Sequence, residues 1–232
     1  MSKFTTFGHV GAYGDLIYSL LAVRQLGGGN VLLARDGNWQ QSPSILLPAA
    51  RLLEQQPYVT GTWTFAYGDH LDFLLLPLNS RATRPFNPAG MYLPETYLRR
   101  LNLPLDQLDQ PWLSVTPRRV AEVVISRSSR FHSPYFRWDV FLKHYSNRSI
   151  FVGLPEEYQA FISEFGKVPY HPTVDLLNVA EVIAGSDLFA GNQSAPFALC
   201  EGLKHNAMLE VSPTFPDCYR PRNNLTAHLI YG

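Results

Sequence analysis

Three short stretches carry polar groups suited to binding a ligand. Ser126-Arg127-Ser128-Ser129-Arg130 follows an apolar run and concentrates hydroxyls and guanidiniums. Guanidinium matches phosphate oxygens in a two-pronged geometry, and serine hydroxyls add short donors. The alternative is an exposed loop with a salt bridge. Gly191-Asn192-Gln193-Ser194 stands between the apolar Leu188-Phe189-Ala190 and a segment opened by Ala195-Pro196. It reads as a strand, a small-residue turn and a helix capped by Ser194, with proline in the first turn. Free amides at such a helix start suit a phosphate, although the same composition also serves as an ordinary strand-to-helix connection. Glu156-Glu157 follows Phe151-Val152-Gly153-Leu154-Pro155. These carboxylates fit the positive end of a helix, or could hydrogen-bond a ribose hydroxyl.

A fourth stretch lies near the start. Gly8-His9-Val10-Gly11-Ala12-Tyr13-Gly14-Asp15 is glycine-rich, which lets a backbone approach a ligand closely. It fits neither the dinucleotide fingerprint nor a Walker loop. Asp15 can stabilise a helix start, or serve as a base if it faces a ligand.

The elements that position these groups alternate strand and helix. Phe4 to Phe7 reads as a strand. Leu16, Ile17, Leu20, Leu21 and Val23 mark a helix ended by Gly27-Gly28-Gly29, and Val31 to Ala34 a second strand. That βαβ start implies a parallel sheet. A helix capped by Ser42 or Ser44, strands over 58–65 and 71–76, a helix over 95–101 and a strand at Trp112-Leu113-Ser114-Val115 complete the first half. The segment 79–90 reads as a long loop whose Arg81 and Arg84 either hold an anion or face solvent. Pro117-Arg118-Arg119 marks a boundary, after which the pattern restarts: strand 120–125, helix 138–145, strand 150–153, helix 156–165, helix 176–184, strand 188–190, a helix, strand 209–211 and an extended piece over 225–231. The expectation is two Rossmann-like parallel-sheet domains facing a cleft, compact, with domains 1–116 and 117–232. Ligands in such sheets bind along the strand C-terminal edge, where the three polar turns fall.

Composition narrows the class. The 232 residues are 46% hydrophobic and 16% charged, enough to build a substantial core. The 19 basic residues equal the 19 acidic ones, which argues against binding nucleic acid by bulk charge. Aromatics at 13% supply core or stack on sugars and bases. Two cysteines make no disulfide framework, and no Cys/His cluster has zinc spacing, so no metal is expected. The chain opens straight into a strand and has no run of about 20 apolar residues, pointing to a cytoplasmic protein without a transmembrane segment.

The chain resembles the heptosyltransferase-like glycosyltransferases of glycosyltransferase family 9, which have the two-domain GT-B architecture. The resemblance rests on Gly14-Asp15-Leu16-Ile17, on Phe151-Val152-Gly153-Leu154-Pro155-Glu156-Glu157, and on Ile183 to Ser194 with Glu210-Val211-Ser212-Pro213. It implies an inverting, metal-independent transfer of a sugar from a nucleotide-diphosphate sugar to an acceptor hydroxyl, the nucleotide sugar being a co-substrate and no cofactor being needed. Asp15 stands at the catalytic-base position, with His9, Gly11, Tyr13 and Gly14 on the acceptor side. The donor would meet Ser126, Arg127, Ser128, Arg130, Gly153, Glu156, Glu157, Asn192, Gln193, Ser194 and Ala195. Leu21, Gln193, Ala195 and Ala198 stand where the family usually has Pro, Asp, Gly and His. Those last replacements suit a second reading, a non-catalytic nucleotide or nucleotide-sugar binding protein on the same scaffold. A phosphatase or epimerase lacks support, since no nucleophile elbow or metal cluster occurs.

Overall fold

The computed structural model describes residues 6–9, 12–34, 43–65, 75–79, 92–214 and 218–228. Gly11, Arg81, Arg84 and the last residues of the final extended piece lie outside them. The chain forms two compact units, Met1–Ser114 with Asp175–Leu177, and Val115–Val174 with Asn178–Gly232. Among the described residues no helix is long and apolar enough to cross a membrane.

The first unit runs β1 (Thr6–His9), α1 (Tyr13–Gln25), β2 (Gly29–Ala34), α2 (Pro43–Glu54), β3 (Val59–Phe65), β4 (Leu75–Asn79) and α3 (Leu93–Arg100). Its sheet has the order β3-β2-β1-β4, with every pairing parallel. The glycine loop is shorter than expected. Gly8 and His9 pair on both sides as the end of β1, and Tyr13, Gly14 and Asp15 form the first turn of α1. α1 is buried without a break from Asp15 to Val23, so its sequence is apolar on more than one face. It closes on Gly28 at φ +81°, where a Cβ would overlap the Tyr58 carbonyl.

The expected strand at 112–115 is not one. Its polar groups are taken by side chains and a helix carbonyl: the Trp112 indole donates to Ile17 O at 2.9 Å, Tyr58 Oη donates to Trp112 O at 2.6 Å, and Ser114 N donates to Gln56 Oε1 at 2.9 Å. A segment with those partners has no use for a ladder.

The second unit runs β5 (Val123–Ser126), α4 (Trp138–Tyr145), β6 (Ser149–Phe151), α5 (Pro155–Phe165), α6 (Leu176–Ala184, apart from its first two residues), β7 (Leu188–Asn192), α7 (Ala195–Gly202), β8 (Ala207–Glu210) and β9 (Leu225–His228). The sheet order is β6-β5-β7-β8-β9, again all parallel. Aromatic residues form much of its core. Trp138 meets Phe161 edge-on at 5.1 Å and Phe141 at 5.6 Å, with Phe136 and Phe151 buried in the same cluster. Here the high aromatic content serves packing.

In each sheet the connections reverse direction once. β1 leads to β2 on one side and has β4 on the other. β5 leads to β6 on one side and has β7 on the other. Such switch points leave a crevice at the strand C-termini. Ser126 at the end of β5 is in register with Gly191 of β7, and a Cβ at Gly191 would overlap the Ser126 carbonyl oxygen. Gly191→Ala must push β5 and β7 apart at the switch point. We expect it to lower the free energy of unfolding by about 2 kcal/mol in urea titration, whereas a loss below about 0.5 kcal/mol would mean that the strands are not held that closely.

Candidate functional site

The switch point of the second unit is built by two neighbouring strand ends. Asn192 and Glu210 are register partners that end β7 and β8, and both are fully buried. Their side chains hold the loop that leaves β5. Asn192 Oδ1 accepts from Ser128 N at 3.0 Å, and its Nδ2 donates to Ser128 O at 3.1 Å and to Arg130 O. Glu210 accepts from Arg127 Nε at 2.8 Å, Ser133 N at 2.8 Å and Trp138 Nε1 at 3.1 Å. A second guanidinium nitrogen of Arg127 reaches Glu210 Oε1 at 3.3 Å, and a third reaches Glu164 at 3.3 Å. The Phe165 ring lies 5.0 Å from the Arg127 guanidinium carbon. This bonding keeps Phe131 left-handed at φ 60° within the loop, a conformation costing about 1–2 kcal/mol.

The loop and the start of α5 line one cavity of about 230 Å³. Its walls include Arg127, Ser128, Ser129 and His132 on one side, and Leu154, Glu156 and Glu157 on the other. His132 Nε2 donates to Ser128 O at 2.6 Å, which leaves the other ring nitrogen unengaged by that bond. Gly153 turns the chain from β6 to α5 at φ +147°, where a Cβ would meet Glu157 Oε2 at 2.9 Å. Glu157 Oε2 accepts from Leu154 N at 3.0 Å, and burial pushes its carboxyl above the ordinary range. Glu156 is exposed at the cavity.

These positions divide the expected donor residues. Ser128, Glu156 and Glu157 meet at the cavity. Arg130 stacks its guanidinium 5.2 Å from the Phe131 ring. Ser194 is the N-cap residue of α7, but its hydroxyl donates to Asn192 O at 3.3 Å and accepts no bond from a helix amide, and Ala195 opens the helix. Four residues are otherwise occupied. Ser126 is 1% exposed as the last residue of β5. Arg127 has its charge balanced by Glu210. Asn192 extends β7 instead of forming a turn, and Gln193 Oε1 accepts from Ser212 N at 2.6 Å. Glu210, His132, Ser133 and Trp138 were not singled out as site residues. Glu210 had a signal in its acid at the end of an apolar strand, where an unpaired charge would be too costly to bury.

In the first unit, His9 ends β1 and Asp15 is the third residue of α1. Both are buried. The His9 ring is hydrogen-bonded to the Asp15 main chain and feels the Asp15 charge, but burial dominates and drives its pKa down to about 4. Its Nε2 is buried without a partner, as is the Tyr13 hydroxyl, whose pKa burial pushes up to about 12. An unpaired buried polar atom costs about 1–3 kcal/mol. Gly14 sits half-buried between Tyr13 and Asp15. Among the described residues no three His, Cys, Asp or Glu side chains cluster closely enough to hold a metal ion.

Two stability measurements follow. Glu210→Gln should cost about 3–5 kcal/mol, because it removes the buried counter-ion of Arg127 and leaves only the exposed Glu164. The double variant Arg127→Met/Glu210→Leu should cost clearly less than the sum of the single changes, and strict additivity would show that the pair is not coupled. His9 binds its proton more weakly folded than unfolded, so its contribution is complete above the ordinary histidine pKa and is lost as pH falls from about 6.5 towards 4. The wild type should therefore lose about 3 kcal/mol between pH 7 and pH 4 that His9→Leu keeps. Parallel stability curves for the two proteins would contradict this.

No protein-family model and no curated protein matches the sequence. Solved structures do. A family 9 glycosyl transferase from Veillonella parvula is 11% identical with a TM-score of 0.62, over 98% of this chain and 87% of that one. The E. coli heptosyltransferase WaaC with ADP is 13% identical with a TM-score of 0.63, over 97% and 92%. The same enzyme with ADP-2-deoxy-2-fluoro heptose gives 13% and 0.61, over 97% and 93%. These neighbours are glycosyltransferases, and at such identities the likeness establishes the fold. The chain has the α/β fold of the GT-B-like family 9 glycosyltransferases.

Proposed function

We propose that the protein is a metal-independent, inverting glycosyltransferase that moves a sugar from a nucleotide-diphosphate sugar to an acceptor hydroxyl. The observation that carries this reading is the convergence on one cavity of the loop after β5 and the acidic start of α5, with Asn192 fastening that loop to β7. Hydroxyls, an imidazole and carboxylates are thereby gathered at a switch point, where a nucleoside diphosphate suits an α/β sheet. The ADP and the ADP-heptose analogue held by WaaC support that donor class.

In this reading Ser128, Arg130, His132 and the amides of Ser194 and Ala195 hold the diphosphate, and Glu156 or Glu157 takes the ribose hydroxyls. Arg127 acts through the loop it anchors rather than as a phosphate ligand. Asp15 is the general base, with His9, Gly11, Tyr13 and Gly14 on the acceptor side. The acceptor oxygen attacks the anomeric carbon opposite the diphosphate. As the new C–O bond forms, the bond to the diphosphate breaks and the acceptor proton passes to Asp15. Amides and cations stabilise the charge that grows on the leaving diphosphate. Asp15 is the acidic residue in the first turn of α1, the end of a helix that favours anions. A chain with two cysteines and no disulfide framework suits a reducing, cytoplasmic setting.

A second reading is a nucleotide-binding protein that transfers nothing. The commitment of Gln193 to Ser212, together with Ala195 and Ala198 in the same segment, favours it. Asp15→Asn separates the two. For a transferase, the variant should bind ADP within about twofold of the wild type by calorimetry and lose transfer by about 10²–10⁴-fold. Undiminished transfer would remove Asp15 as the base. ADP binding by a wild type that transfers no sugar would favour the second reading.

A further inference from the structure

Among the residues lining the cavity of the second unit, His132 has one ring nitrogen fixed by the fold and the other left over. Its Nε2 lies 2.6 Å from Ser128 O. A carbonyl oxygen only accepts, so Nε2 carries a hydrogen whatever the charge of the ring. Ser128 O is itself held in place, since it also accepts from Nδ2 of the buried Asn192 at 3.1 Å. A proton gained or lost by this ring therefore falls on Nδ1, the nitrogen left for a ligand in the cavity. When neutral, Nδ1 is an acceptor and sets a lone pair against a phosphate oxygen. When protonated, it is a donor on a positive ring.

The surrounding charges make that difference matter. The basic residues lining the cavity are Arg127 and His132, and the Arg127 guanidinium is paired with Glu210 and Glu164. On the opposite wall α5 contributes Glu156 and Glu157. Arg130, on the same loop as His132, is near enough for its charge to act on Glu157. A diphosphate bound here adds negative charge beside two carboxylates, and histidine is the side chain whose charge changes between pH 5 and 8. We propose that the His132 imidazolium is the cationic ligand of the donor diphosphate, donating from Nδ1 to a phosphate oxygen, so that the nucleotide sugar binds together with a proton. This rests on the reading of the cavity as the donor site. The proton is taken from solvent onto Nδ1 as the nucleotide binds and returns to solvent when it leaves.

The test is calorimetry of the full chain with ADP-glucose and UDP-glucose at pH 6, 7 and 8, in buffers of different ionisation enthalpy. A nucleotide sugar is the probe because its bridged diphosphate, unlike the terminal phosphate of ADP, has no proton to exchange in that range. The wild type should take up protons on binding at pH 7 and bind about tenfold more weakly at pH 8 than at pH 6. His132→Gln keeps an N–H for Ser128 O but cannot take a charge. It should bind about tenfold more weakly than wild type at pH 6, with no proton uptake and no dependence on pH. Glu157→Gln tests the rival proton site, since burial already pushes that carboxyl above its ordinary range. That variant should keep the uptake, whatever its affinity. Uptake that survives in His132→Gln, or that vanishes in Glu157→Gln, would overturn the proposal. If His132→Gln melts several degrees below wild type, ¹⁵N spectra of the wild-type histidine rings decide instead: Nδ1 of His132 should gain a proton when the nucleotide sugar is added at pH 7, and an unchanged ring overturns the proposal. Binding by the wild type without uptake ends this proposal alone, whereas no binding of either nucleotide sugar at any of the three pH values ends the donor reading and the proposal with it.

Discussion

The carboxylate of Glu210 is sealed from water and carries the organisation of the strand ends at the second unit's candidate site. It is reached by the Arg127 guanidinium, the Ser133 amide and the Trp138 indole. Removing a carboxylate from water is costly, and only several well-aligned donors offset that cost. The donors come from the two parts of the loop after β5, Arg127 and Ser133, and from the first residue of α4. Their convergence sets the path of residues 127–138. Asn192, its register partner on β7, pins the same loop through Ser128 and Arg130. Two buried polar side chains on adjacent strands thus convert a hydroxyl-rich segment into one defined surface. Trp138 joins this polar knot to the core, since the indole that donates to Glu210 also packs against Phe161.

The fold was largely legible because helix and strand leave local marks. α4 and α6 have the bounds that their apolar spacing indicates. The alternation of strands and helices announces two parallel sheets, and the Gly14-Asp15 and Gly153 to Glu157 segments point to the same architecture. Elements held by distant side chains were harder to read. Trp112-Leu113-Ser114-Val115 has strand-like residues, but Tyr58, Gln56 and Ile17 supply its partners from elsewhere in the chain.

The candidate site was legible as an address and less so as a set of roles. Ser128, Glu156 and Glu157 do line one cavity. Arg127 looked like an anion ligand because its counter-ion, Glu210, lies 83 positions further on. Asn192 looked like a turn residue because Gly191 precedes it. That glycine instead lets β7 lie close to β5, and the strand runs on through Asn192. A local motif records which groups are near in sequence, whereas the use of each group depends on what the fold brings opposite it.

The neutralised state of Arg127 also bears on how an anion would arrive. Its charge is cancelled in place by Glu210, and the cavity wall opposite adds Glu156 and Glu157. The chain as a whole is balanced at 19 basic and 19 acidic residues. Such an edge exerts little long-range pull on a diphosphate. In the proposed function, capture would therefore depend on short-range hydrogen-bond geometry after a chance encounter, and its rate would vary little with ionic strength, unlike the salt-sensitive association of an anion drawn into an open positive cleft.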